Sequence, residues 1–141
     1  MIFNSHSPEE TQKIAADLAH KIIKIKKGAI IALEGELGAG KTVFVKGFAK
    51  ALGIKSKIKS PTFVLMKKYQ VSEDINLYHL DCYRVKDEKD LKIPEMKEIM
   101  TMSHNIVLIE WAERIRKILP KKFISVHIDH VSENERKISI T

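Results

Sequence analysis

The chain has 141 residues and 16.1 kDa, 44% apolar and 30% charged, a balance that suits one folded domain with its own core and excludes fibrous and disordered classes. Its one cysteine, Cys82, excludes an intrachain disulfide. No apolar run approaches the ~20 residues of a membrane span, and Met1-Ile2-Phe3-Asn4-Ser5-His6 lacks a secretory pattern, so no membrane association and a cytoplasmic setting are expected. Lys plus Arg number 25 against 18 Asp plus Glu, a net charge of +7 that suits a polyanionic partner. The lysines are spread along the chain, however, and the clusters at 21–27 and 55–59 read as solvated surface.

In chain order, Ser7-Pro8-Glu9-Glu10 is a helix start: a capping serine, a proline suited to the first turn and a glutamate placed for a capping box. Ile14, Ala15, Leu18, Ile22 and Ile23 keep helical spacing until Gly28, which is expected to end the helix. Ala29-Ile30-Ile31-Ala32-Leu33 is a strand buried on both faces, the pattern of a parallel sheet. A glycine-rich turn leads into a helix over 41–52 with Gly53 as its cap. Residues 62–71 and 77–83 alternate as strands around a hairpin loop at 72–76. Residues 87–102 read as helical with an interruption at Pro94. Residues 106–109 form a second central strand, and a short helix over 111–119 stops at Pro120. Residues 123–131 and 136–141 can pair as strands. The predicted fold is α/β, a P-loop NTPase-like three-layer sandwich with central parallel strands and antiparallel edge strands, in a single domain.

Gly35-Glu36-Leu37-Gly38-Ala39-Gly40-Lys41-Thr42 matches G-x-x-x-x-G-K-[ST] in full, between a buried strand and a helix. Glycines allow consecutive N–H groups to turn inward around a phosphate, and the helix aims its free N–H groups at the same anion. Lys41 adds a cation for the outer phosphates and Thr42 a hydroxyl for Mg²⁺. No Asn-Lys-x-Asp guanine reader is present, which favours adenine.

Such a site needs a carboxylate at the end of a nearby strand to hold Mg²⁺ or its waters. Glu110 ends the strand 106–109 and Asp81 follows Leu77-Tyr78-His79-Leu80; either could instead cap a loop. Ser60-Pro61-Thr62 falls where P-loop switches place a hydroxyl near the γ-phosphate, or is an ordinary turn. His79 has no metal-ligand spacing and reads as a packed or surface histidine. Trp111 reads as core, with a nucleotide or partner contact as the alternative.

The P-loop, Ser60-Pro61-Thr62-Phe63, Tyr78-His79-Leu80-Asp81-Cys82-Tyr83-Arg84 and Ile109-Glu110-Trp111-Ala112-Glu113-Arg114 together resemble the TsaE family, the small P-loop ATPases of bacterial tRNA threonylcarbamoyladenosine synthesis. Val43 departs from the family's usual threonine, Cys82 from its leucine, and 90–95 lacks its glycine. The resemblance implies ATP and Mg²⁺ as cofactors and TsaD-like and TsaB-like proteins as partners. Through that complex it implies contact with tRNA, and alone a monomer or weak oligomer. In that family TsaD transfers threonylcarbamoyl to the adenosine beside the anticodon, and the ATP cycle of the TsaE-type subunit supports turnover.

The resemblance also implies that Lys41, Asp81 and Glu110 act in catalysis and that Thr42 and Glu110 hold Mg²⁺, with Asp81 close to it. The nucleotide would lie on Gly35 through Val43, that is Gly35, Glu36, Leu37, Gly38, Ala39, Gly40, Lys41, Thr42 and Val43, with Ser60, Thr62 and Trp111 nearby. Arg136 would lie against it and Thr11 near the adenine. Two other readings compete: a stand-alone P-loop kinase of a small substrate, and a nucleotide-dependent interaction module that barely hydrolyses ATP.

Overall fold

In a computed structural model, the structure describes residues 1–36, 38–55, 66–86 and 93–141. The elements in chain order are β1 (Ile2–Ser5), α1 (Pro8–Ile25), β2 (Ala29–Gly35), α2 (Lys41–Ala51), β3 (Met66–Gln70), β4 (Asn76–Asp81), α3 (Ile93–Thr101), β5 (Asn105–Glu110), a 3₁₀ segment (Ala112–Ile118), β6 (Ile124–His130) and β7 (Arg136–Ile140). The strands form one sheet in the order β1-β7-β6-β2-β5-β4-β3. Its centre, β6-β2-β5-β4, is parallel. The outer pairs β3–β4, β6–β7 and β1–β7 are antiparallel, as the sequence predicts.

Alternation along the buried strands divides the core in two. Ile31 and Leu33 of β2, Leu77 of β4 and Ile106 and Leu108 of β5 pack with Phe44 and Phe48 of α2 and Ala15 and Ala19 of α1. Ile30, Ala32, Leu80, Val107 and Ile109 point the other way, onto Met96 and Met100 of α3 and Ile115 of the 3₁₀ segment. This is the three-layer arrangement expected of parallel strands with apolar residues on both faces. Gly47 fixes how closely α1 meets α2, since a Cβ there would stand 2.6 Å from the Cα of Gln12.

Ser7 caps α1 as predicted, its Oγ accepting from the Glu10 N–H at 3.1 Å. The reciprocal bond goes one residue earlier, from the His6 N–H to Glu10 Oε2 at 2.7 Å. Gly53, at φ 82, closes α2 with its N–H on the Lys50 carbonyl.

Four local expectations are corrected. Lys26, not Gly28, caps α1, in the left-handed region at φ 59 with its N–H on the Ile23 carbonyl. Pro94 is the second residue of α3 rather than an interruption, because a proline in the first turn forfeits no helical hydrogen bond. The segment after Trp111 is a 3₁₀ stretch broken at Ile115 (φ −126), not a regular helix. β4 stops at Asp81, two residues before the expected end. Strand β1 is an addition: its pairing with β7 holds Ile2–Ser5 extended. The expected strand at 62–65 and the helical reading at 87–92 lie outside the described residues.

Candidate nucleotide-binding site

The functional side chains gather at the carboxyl ends of the parallel strands, where open α/β sheets bind ligands. The loop after β2 leads directly into α2. Gly40 is the residue before that helix, at φ 101, a conformation open to glycine and strained for other residues. It offers no side-chain cap, and the first helical bond runs from the Phe44 N–H to the Gly40 carbonyl. The N–H groups of the first turn therefore have no helical acceptor and are available to an anion. Thr42 and Glu36 are exposed, Val43 and Gly40 half-buried, Gly35 and Ala39 buried and Gly38 exposed.

Opposite this helix end, β4 and β5 finish side by side. Asp81 pairs in register with Glu110, and His79 with Leu108. His79, Asp81, Leu108 and Glu110 thus share the face that packs on α2. His79 Nε2 and Glu110 Oε2 are 2.7 Å apart, their side chains 2% and 6% exposed. Asp81 Oδ1 accepts from the Tyr83 N–H at 3.0 Å. The end of β5 is fastened on both sides, by Cys82 N–H to the Glu110 carbonyl at 3.0 Å and Trp111 N–H to the Leu33 carbonyl at 3.1 Å.

Lys41 is buried rather than extended into solvent. Its Nζ donates to the Gly35 carbonyl at 2.5 Å and lies 3.5 Å from the centroid of the Trp111 ring. Trp111 adopts the left-handed region (φ 58, ψ 42), which turns its ring over the lysine. On the ring's other contacts, Tyr83 stands 5.2 Å away between centroids and the Arg114 guanidinium 5.5 Å away.

Charge and burial oppose one another here. Burial pushes the Lys41 ammonium below its ordinary pKa, against the raising pull of Glu113, Glu110 and Asp81. Burial raises the Asp81 carboxyl, the Tyr83 N–H lowers it, and the negative Glu110 raises it further. Burial likewise raises Glu113, aided by Glu34. Lys41 thus feels three acids, from the end of β4, the end of β5 and the segment after it. Among the described residues, no three of His, Cys, Asp and Glu converge as an all-protein metal cage. Thr42, Asp81 and Glu110 are the residues that could hold an ion whose remaining ligands are water and phosphate, as Mg²⁺ is usually bound.

Arg136 opens β7 and ties the loop to the β6–β7 turn. Its Nε donates to the Ala39 carbonyl at 3.0 Å and its Nη1 to the Ser132 carbonyl at 2.7 Å. Thr11, Gly40, Val43, Glu133, Asn134 and Arg136 line a cleft of about 80 Å³ beside the loop. Thr11 itself is buried, with its hydroxyl 2.7 Å from Ser5 Oγ. A larger apolar cavity of about 330 Å³, lined by Ile22, Ile25, Gly28 and Phe123, lies at the opposite end of β2, away from these groups.

The family model described as "Threonylcarbamoyl adenosine biosynthesis protein TsaE" matches residues 5–138. The chain belongs to the TsaE family. It is 40% identical over 136 residues to the tRNA threonylcarbamoyladenosine biosynthesis protein TsaE of Bacillus subtilis, covering 96% of this chain and 81% of that one. It is 37% identical to the protein of the same name from Aquifex aeolicus, covering 95% and 90%. A crystal structure of Bacillus subtilis YdiB superposes with a TM-score of 0.79 at 35% identity, covering 99% of this chain and 83% of that one.

Of the segments that carry the TsaE resemblance, the fold brings together the P-loop, 78–84 and 109–114. Leu37, Ser60, Thr62 and the rest of 56–65 lie outside the described residues. Two features escaped sequence reasoning. His79 is packed, one of the two readings the sequence offered, and what the sequence did not show is its hydrogen bond with Glu110. Its position two residues before Asp81, on the same strand face, was the available signal. Trp111 is not simply core; its left-handed backbone places it against Lys41.

Proposed function

We propose that this TsaE-family chain is the ATP-binding and ATP-hydrolysing subunit of tRNA threonylcarbamoyladenosine biosynthesis, supporting turnover of a TsaD–TsaB complex. The observation that carries this reading is the approach of Lys41, at the start of α2, to Trp111 and to the charges of Asp81 and Glu110, at the paired ends of β4 and β5. Membership of the family supplies the pathway.

The first-turn N–H groups of α2 bind phosphate oxygens, and Lys41 exchanges the Gly35 carbonyl for an outer phosphate. Thr42 and Glu110, with Asp81 beside them, hold Mg²⁺, which supplies charge compensation on the phosphates. Val43 and Arg136 flank the nucleotide, and the wall of the Thr11 cleft lies toward the base. Among the described residues, Arg116 is paired with Glu34 at 2.5 Å and Arg114 rests on Trp111 and Tyr83. These engagements favour a chain that is a slow ATPase alone, with its partners completing or resetting the site.

The test is ATP consumption with Mg²⁺ by the chain alone, with TsaD and TsaB, and with small-molecule acceptors. Phosphate release that rises with the partner proteins is expected. A phosphorylated small molecule formed without partners contradicts the proposal and indicates a kinase.

A further inference from the structure

We propose that His79 is a positioning residue for Glu110, holding that carboxylate in the orientation in which it receives the metal ion; this rests on the nucleotide–metal reading above. His79 stands one register step deeper in the sheet than the acids. It pairs with Leu108 while Asp81 pairs with Glu110, so its ring reaches diagonally to the Glu110 carboxylate. Leu77, one step deeper again on the same face, belongs to the apolar core. The face of β4 therefore grades from apolar (Leu77) through a polar ring (His79) to an acid (Asp81).

A carboxylate only accepts hydrogen bonds, so the 2.7 Å contact assigns the proton to His79 Nε2. Nδ1 is buried and has no hydrogen-bond partner among the described residues. Nδ1 takes no part in holding the ring's neighbours, so Nε2 is the atom through which His79 acts on Glu110. One contact is made, and it fixes Oε2 of Glu110 while Oε1 stays outside that bond. The Glu110 side chain is 6% exposed, so the His79 contact is the one side-chain hydrogen bond shown to orient its carboxylate among the described residues. Without the His79 donor it would lose both its placement and the partner that stabilises its charge.

The experiment uses the full chain and Mn²⁺ as the probe, with free Mn²⁺ followed by electron paramagnetic resonance in the presence of ADP. Metal-free affinity for a fluorescent ADP analogue and the melting temperature are measured in parallel. His79→Leu keeps bulk without the donor, His79→Gln carries an amide N–H toward the Nε2 position, and His79→Asn is too short to reach. Mn²⁺ affinity is expected to fall roughly 10- to 100-fold in His79→Leu and His79→Asn, with metal-free nucleotide affinity unchanged and substantial recovery in His79→Gln. Wild-type Mn²⁺ affinity in a folded His79→Leu protein overturns the proposal. Should His79→Leu fail to fold, equal Mn²⁺ affinities for the Gln and Asn variants overturn it. Absence of ADP-dependent Mn²⁺ binding in the wild type is a distinct result; it defeats the nucleotide–metal reading and the role of His79 with it.

Discussion

Lys41 Nζ lies 3.5 Å from the centre of the Trp111 ring while it donates to the Gly35 carbonyl, so the lysine of the P-loop is held by the residue that follows β5. The contact has a structural cost. Trp111 sits at φ 58, and a residue held in that region is strained by roughly 1–3 kcal/mol. If Lys41 leaves for a phosphate, the ring loses its cation. Trp111 is the only tryptophan, so its emission should change when ATP or ADP is added, and the change should be absent in Lys41→Ala. Unaltered emission at saturating nucleotide contradicts the exchange.

Lys41→Ala should fold and should lose ATP turnover by ~10²-fold or more, because a charge aimed at the developing negative charge is removed. Burial already works against the ammonium, so the melting temperature should not fall substantially. Phosphate release and thermal unfolding on the same preparation check both halves.

Asp81→Asn should raise the melting temperature of the nucleotide-free protein while weakening Mg²⁺-dependent ATP turnover. Burial and the neighbouring Glu110 raise the Asp81 pKa, so the stability its protonation lends is full only below its ordinary value and is lost as pH rises through the raised one. At neutral pH the ionised group opposes folding, and a neutral isostere removes that opposition. The asparagine Oδ1 can still accept from the Tyr83 N–H. A lower melting temperature in Asp81→Asn contradicts this assignment.

Gly47→Ala should destabilise the fold by about 1–3 kcal/mol, since the added methyl meets the backbone of Gln12 and α1 must move off α2. Urea unfolding measures the loss. A neutral substitution would mean that the two helices are not packed this closely.

Cys82 should resist thiol reagents at pH 8 in the native chain and react on unfolding. It is fully buried, and burial first, then the charge of Asp81, push its thiol to about 12 from 9.0. Its contribution to stability is therefore complete below pH 9 and declines as pH rises toward 12, a decline that Cys82→Ala should lack. Rapid labelling of the folded protein contradicts the burial.

The parts of the fold legible in sequence are those whose signal is local. Ala29-Ile30-Ile31-Ala32-Leu33 and 106–109 are apolar without alternation because both faces are covered, and both became central parallel strands. Ser7 and Gly53 act through neighbouring backbone groups, and both sit at helix ends as expected. Strand β1 was hidden because Ile2–Ser5 gains its hydrogen bonds from β7, at the far end of the chain. The His79–Glu110 bond depends on the register of β4 with β5, across 31 positions in sequence. The left-handed turn at Trp111 has no local signal either, since neither glycine nor asparagine marks it.

The central claim is that ATP use at this site sustains repeated tRNA modification. The direct measurement combines TsaD, TsaB, the threonylcarbamoyl adenylate, tRNA, ATP and Mg²⁺, and counts modified adenosines per complex with wild-type chain, with Lys41→Ala and with none. Many modifications per complex are predicted for the wild type, and no more than the chain-free reaction for Lys41→Ala. Equal counts in all three reactions would contradict the claim.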